Sequence, residues 1–316
     1  MANEIVLPRS DVLAKRTGRR WRQARYNLTA LLFISPWLIG FIVFLAYPIL
    51  ESLRLSFTNF QLLDAGTKYI GLRNYIFMFT RDRTLIRAIQ NTIGYALMAV
   101  PLSLVIALTA AVLLNQKVRG LSLWRTLFFL PSLVPPVATI VIFRALFDPG
   151  RGLINQVLEN FGLPQPGWFA SSDTALFTMV IMGAWGFGGA MIILLAGLQD
   201  IPRTLLEAAE IDGANSAQRF WSITLPILSP IIFFNWVLGF IGALQVFAQS
   251  LLLGGNVGWP GGSTLFYNVY VYVVGFNSPY RMGYASALGW VLFVGILAAT
   301  GLNFLLSRRF VFYSGE

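Results

Sequence analysis

Glu207-Ala208-Ala209-Glu210-Ile211-Asp212-Gly213-Ala214 is a short, charged, Ala-rich helix signal set between two strongly apolar stretches. The chain therefore passes from apolar to polar and back within one loop. That alternation recurs along the sequence and decides its class. The chain is 56% hydrophobic and 11% charged, with a mean hydropathy of +0.68, far from a soluble globular domain. Several apolar runs reach the roughly 20 helical residues that cross a bilayer core. They lack the polar/apolar alternation of a β-barrel wall, so the sequence predicts an all-α polytopic membrane protein.

Hydropathy places six spans at about 28–50, 89–114, 121–147, 174–198, 223–252 and 285–306. An even number puts both termini on one side of the membrane. With the termini inside, the cytoplasmic segments hold Arg9, Lys15, Arg16, Arg19, Arg20, Arg22 and Arg25 of the tail, with Lys117, Arg119, Arg125, Arg203, Arg219, Arg308 and Arg309. These are fourteen of the 23 basic residues, the direction of the positive-inside rule. The other nine cluster mainly in the outer 54–87 segment. The formal charge of +10 is thus a membrane-protein pattern and gives no sign of a nucleic-acid partner. The basic stretch is followed by no short apolar run with a small-residue cleavage site. It reads as a retained cytoplasmic tail, 1–27, attracted to anionic membrane lipid, ahead of a transmembrane domain 28–312 and a tail 313–316.

There are no cysteines and no histidines, so disulfides and the usual zinc, haem or iron–sulfur ligands are missing. No Gly-Lys pair occurs, and with it no phosphate-binding Walker A loop. No Asp, Glu or Lys sits deep within a span, which counts against an ion-coupled carrier, the alternative reading alongside a channel subunit. A membrane enzyme lacks a nucleophile–base pair or an embedded carboxylate pair.

The loop 199–222 is the most legible part. Asp200 is expected to cap a helix with Pro202 in its first turn. Leu205, Leu206, Ala209 and Ile211 form an apolar stripe, and Gly213 permits a positive φ and a sharp turn. Asn215 or Ser216 then caps a second short helix through Ser222, ahead of Leu225-Pro226. The result is a stiff knob with small side chains for close approach and carboxylates for a partner's cations. An amphipathic helix lying on lipid is the plainer alternative.

Two further readings stay open within the spans. Gly183, Gly186, Gly188 and Gly189 beside Trp185 either admit a neighbouring helix or leave room for a ligand beside an aromatic face. Asn235, Gln245, Gln249 and Ser250 lie in or near the fifth span. Gln245 and Gln249 are expected one turn apart on one face, with Gly242 on the same stripe. They serve either a polar path or interhelical hydrogen bonds. The prolines, among them Pro101, Pro131, Pro135, Pro136, Pro226 and Pro230, mark kinks or a wet path. No internal repeat is evident.

The run Glu207-Ala208-Ala209, Asp212-Gly213-Ala214 and Ile223-Thr224-Leu225-Pro226 resembles the "EAA" signature of ABC-importer permeases. Tyr47-Pro48, Ile70-Gly71-Leu72-Arg73-Asn74-Tyr75, Arg125-Thr126-Leu127-Phe128-Phe129-Leu130-Pro131 and Phe147-Asp148-Pro149 extend the likeness. Gly152-Leu153-Ile154-Asn155 and Ala196-Gly197-Leu198-Gln199-Asp200-Ile201-Pro202 carry it over nearly the whole chain from residue 30. The chain is most similar to the first permease of maltose- and glycerol-3-phosphate-type carbohydrate importers. The resemblance implies a type I ABC importer architecture in a prokaryotic inner membrane, multi-pass, with both termini cytoplasmic. It implies a second homologous permease, two ATPase subunits that bind ATP and Mg, and an extracytoplasmic solute-binding protein, with no cofactor on this chain. It gives Glu207, Ala208, Ala209, Asp212 and Gly213 the role of ATPase coupling. It puts the sugar path around Gly183, Trp185, Gly186, Gly189, Gly242, Gln245 and Gln249. One departure is the 254–262 segment, longer and looser than the Gly-Gly-Pro turn common in the family.

Overall fold

The computed structural model describes residues 29–64, 66–116, 119–308 and 311. The basic stretch 1–26, the tail boundaries at 27 and 313, and Lys117 and Arg309 lie outside the described residues. No strand forms among the described residues; one antiparallel bridge joins Thr58 to Tyr69. The chain divides into two compact units, 1–55 and 56–316.

The first unit is carried by α1 (Thr29–Ser56), apolar enough to cross a membrane. Its one irregularity is a π-helical turn at Ile42–Ala46, closed by the Tyr47 N–H on the Ile42 carbonyl. Pro48 follows at once. Proline brings no N–H and its ring crowds the carbonyl four residues back, and a widened turn just ahead relieves both problems.

The second unit runs α2 (Arg73–Thr80), α3 (Arg83–Leu114), α4 (Leu121–Leu133), α5 (Pro136–Leu146), α6 (Leu153–Asn160), α7 (Ala175–Ala184) and α8 (Gly188–Gln199). Then come α9 (Arg203–Ile211), α10 (Ser216–Arg219), α11 (Leu225–Leu244), α12 (Ala248–Gly254), α13 (Tyr267–Phe276) and α14 (Met282–Ser307). The 32-residue α3 is the spine, packed by α7, α8, α11 and α13. Ala88, Ala96, Ala107 and Ala111 on α3 are fully buried. Small side chains let helices approach closely where no hydrophobic force drives them together.

Polar groups pin the far end of α3. Asp82, only 6% exposed, caps it by accepting from the Leu85 N–H at 3.0 Å. Its other carboxylate oxygen accepts from the Tyr270 and Tyr284 hydroxyls. Burial and the Asp82 carboxylate hold the Tyr270 phenol above its ordinary range, which keeps it a donor. Arg281 lies over the Phe77 and Tyr284 rings, 5.2 and 4.8 Å from their centroids.

Among the described residues four helices are long and apolar enough to cross a membrane, and up to six spans result if each of two bent pairs counts once. The spans expected at 121–147 and 174–198 are those pairs, each broken rather than continuous. α4 and α5 diverge by 99°, because Val134 is extended ahead of Pro135-Pro136, which supply no N–H to continue a helix. α7 and α8 diverge by 45° around Trp185-Gly186-Phe187. Hydrogen bonds hold the 254–262 segment and its flanks: Ser250 Oγ donates to the Thr264 carbonyl, Thr264 Oγ1 to that of Trp259, and the Trp259 N–H to that of Gly254.

Candidate functional site

The α9–α10 knob forms much as the sequence predicts, with two corrections. Asp200 does not cap α9. It ends α8, and Pro202 opens α9 without a side-chain cap. Nor does the second helix stop at Ser222: α10 continues through a π-helical turn, Phe220–Thr224, into α11. That turn precedes Pro226 as the one in α1 precedes Pro48, for the same physical reason.

Gly213 adopts φ +82°, the left-handed turn that glycine accepts without strain. Asn215 caps α10 in a reciprocal box, accepting from the Gln218 N–H at 2.9 Å while Gln218 Oε1 accepts from the Asn215 N–H at 2.8 Å. Arg219 Nη1 donates to Glu210 Oε2 at 2.5 Å and links the two helices. A surface pair of this kind adds little energy; its effect here is to fix an angle.

Glu207, Ala208, Asp212 and Gly213 are exposed and Ala209 is half-buried. The expected apolar stripe divides. Leu206 packs with Leu114, Leu198 and Ile201, whereas Leu205 and Ile211 face outwards, Ile211 with 87% of its surface exposed. Trp221, in the π-helical turn, is 66% exposed. An isolated chain leaves such side chains uncovered when their partner is another subunit.

Besides a cavity of about 310 Å³ between α11 and α14, two more open beside α3 and α7. One, of about 210 Å³, is lined by Tyr95, Ser103, Gly183, Asn235, Gly239 and Gly242 among others. The second, of about 180 Å³, is lined by Tyr95, Ser132, Thr139, Gly183, Trp185 and Gln249, with Gly186. Gly183, Trp185, Gly186, Gly242 and Gln249 line one or other of these cavities. Gly189 and Gln245 line neither. α11 ends at Leu244 and α12 begins at Ala248, so Gln245 and Gln249 do not share one helical face. Gln245 is exposed, and its carbonyl accepts from Asn268 Nδ2 at 2.9 Å.

The glycines differ in their surroundings. A Cβ on Gly188 would lie 2.6 Å from the Phe128 carbonyl oxygen, so this residue serves close packing of α8 on α4. Around Gly189 and Gly242 there is open space. Tyr95, Ser103, Ser132 and Thr139 escaped the sequence reading, although hydroxyls inside apolar spans are the signal that finds such positions. No charged side chain lines either cavity. The arrangement presents neutral hydroxyl and amide groups beside an indole.

Comparison with known proteins agrees with this geometry. Residues 99–312 match the family model "Binding-protein-dependent transport system inner membrane component". The probable ABC transporter permease protein YesP of Bacillus subtilis is 42% identical over 92% of this chain and 94% of its own. The arabinooligosaccharides transport system permease protein AraP of the same organism is 33% identical over 94% of each chain. The lactose transport system permease protein LacF of Rhizobium radiobacter is 33% identical over 93% of this chain and 98% of its own. A bacterial ABC transporter involved in import of the acidic polysaccharide alginate contains a chain of the same fold. Its TM-score is 0.77 at 24% identity, over 92% of this chain and 99% of that one. With this type I importer fold and these matches, the chain belongs to the binding-protein-dependent transport system inner membrane component family and is a permease subunit of an ABC importer.

Proposed function

We propose that this chain forms half of the translocation path for a sugar or related polyol, in an importer driven by two separate ATPase subunits that bind ATP and Mg. A second homologous permease supplies the other half, and an extracytoplasmic binding protein delivers the solute. The observation that carries the reading is the unbroken helix from Ser216 to Leu244, about 40 Å long at ~1.5 Å per residue. One end is braced against the exposed knob by the Glu210–Arg219 pair. The other carries Asn235, Gly239 and Gly242 into a cavity. A push on Glu207, Ala208, Ala209, Asp212 and Gly213 by an ATPase is delivered through one rigid element to the path.

The chemistry of the cavities favours an uncharged, hydroxyl-rich solute. Hydroxyls and amides without a carboxylate suit sugar hydrogen bonding, and Trp185 offers the flat apolar face that sugar rings stack on. Named relatives that carry arabinooligosaccharides and lactose support the same class. Ion-coupled carriers often use an acid in the path, and neither cavity holds one. In this reading both termini and the knob are cytoplasmic.

Gentle purification of the tagged chain from its native membrane, with mass spectrometry of what stays bound, tests the assembly. An ATPase and a second permease are expected. A chain that purifies alone and transports in proteoliposomes without ATP refutes the proposal. Thiol labelling of the Glu207→Cys variant from the cytoplasmic side and of Gln165→Cys from outside tests the topology; the reverse pattern inverts it.

A further inference from the structure

The short helix α2 has three faces. At about 100° per residue, Asn74, Tyr75 and Met78 fall on one side and pack inwards. Met78 is buried in a cluster with Leu85, Tyr284 and Leu288. Asn74 Nδ2 donates to the Ser56 and Thr58 carbonyls at 2.8 and 2.9 Å, and the Tyr75 hydroxyl is 2.8 Å from Ser56 Oγ. Leu72, Ile76 and Phe79 fall on a second side and are 61%, 59% and 67% exposed. Arg73 and Thr80 occupy the third, also exposed. The hydrogen-bonded face fixes the roll of the helix, so the apolar stripe stays outward.

The level of α2 in the membrane follows from α3. Its 32 residues make about 48 Å at ~1.5 Å per residue, slightly more than the roughly 40–45 Å of a bilayer with its headgroups. One end, Leu114, packs with Leu206 at the root of the knob. The other, Arg83, therefore reaches the opposite headgroup layer, and only Arg81-Asp82 separates it from α2. Further along, α3 exposes Ile86, Ile93 and Leu97 on one face of its own.

Charge points to the same surroundings. Between Asp64 and Asp148 the sequence holds a single acid, Asp82, and the Leu85 N–H and the two tyrosine hydroxyls occupy its carboxylate. Arg73, Arg81 and Arg83 are exposed and form no ion pair among the described residues. Their anion comes from outside the chain. A stripe of three side chains falls well short of the ~800 Å² per partner that a stable protein interface needs. A lipid leaflet instead takes an apolar stripe at the hydrocarbon edge and basic groups at the phosphates.

We propose that α2 is an interfacial lipid-binding helix. Leu72, Ile76 and Phe79 enter the acyl boundary, and Arg73 and Arg81, with Arg83, hold the phosphate of an anionic phospholipid.

The chain has no cysteine, so Ile76→Cys in the complete transporter gives it one attachment point for a membrane-permeant benzophenone maleimide. After irradiation in native membranes, the labelled peptide of this chain is weighed by mass spectrometry. A phospholipid adduct is expected for Ile76→Cys and for Phe79→Cys, at least ~3-fold above that for Thr80→Cys on the polar face. An adduct to a protein, no adduct, or equal lipid adducts on both faces overturns the proposal. A second arm reads the headgroup, with the Ile76→Cys transporter in nanodiscs of equal phosphatidylglycerol and phosphatidylcholine. Phosphatidylglycerol adducts should exceed phosphatidylcholine adducts at least ~5-fold, and Arg73→Gln with Arg81→Gln should lower that ratio at least ~3-fold. A ratio near one with all three arginines present, or a ratio unchanged in the double variant, overturns the assignment of an anionic lipid.

Discussion

Replacing Gly213 by alanine isolates the geometry of the knob from its chemistry. The residue is exposed, and a Cβ would meet nothing within 4 Å, so no clash contributes. What remains is backbone: at φ +82° an L side chain costs roughly 1–2 kcal/mol. The chain escapes that strain by turning to negative φ. It then gives up the Gly213 N–H bond to Glu210 and the Ala214 N–H bond to Ala209, and α10 swings away from α9. Either route lowers the population of the docking-competent knob by about 5- to 30-fold. The Gly213→Ala variant should therefore bind purified ATPase subunits about 5- to 30-fold more weakly, read as a titration on the permease complex in lipid nanodiscs. Gly213→Asn is the control, because asparagine visits the left-handed region more readily and should recover most of the affinity. Wild-type affinity for the alanine variant, or equal loss in both variants, would refute the argument that conformation at this residue sets the knob.

Gly188→Ala forces a Cβ against the backbone of Phe128 and Phe129, which cannot rotate aside. It should cost about 1–3 kcal/mol, visible as a lower thermal midpoint in detergent, and an unchanged midpoint would contradict the packing role. Asp82→Ala removes a helix cap and strands two tyrosine hydroxyls. A loss of about 3–5 kcal/mol follows, with Asp82→Asn intermediate, checked by denaturant titration of the purified complex. Gln249→Ala should lower sugar uptake, because the residue faces a cavity beside Trp185, while Gln245→Ala should leave it within ~2-fold. Equal effects in an uptake assay would put Gln245 back in the path.

The knob was readable because its determinants are local. Asn215 with Gln218, and Gly213 at a sharp turn, act within three or four residues of chain, so spacing alone reveals them. The spans were readable as apolar runs for the same reason. One interruption was not: the break after Leu244 removes the shared face of Gln245 and Gln249, and no proline marks it. Tyr95 and Ser103 were missed because each stands between apolar neighbours along α3. Their meaning comes from Gly183 and Asn235, far away in sequence and adjacent only after packing. Asp82 is similar: its partners Tyr270 and Tyr284 lie nearly two hundred residues away.

The π-helical turn at Phe220–Thr224 has a consequence for insertions and deletions. A wide turn holds an extra residue without extending the helix much, so it works as an angular spacer between α10 and α11. Deleting one residue there lets the helix relax to ordinary winding and changes the angle between the knob and α11 little, because an ordinary turn closes with one residue fewer. Glu210 and Arg219 both precede the turn and stay paired, while Asn235 and Gly242 stay in place. The stretch thus tolerates the loss of a single residue, whereas an added one turns everything upstream by about 100° about the axis.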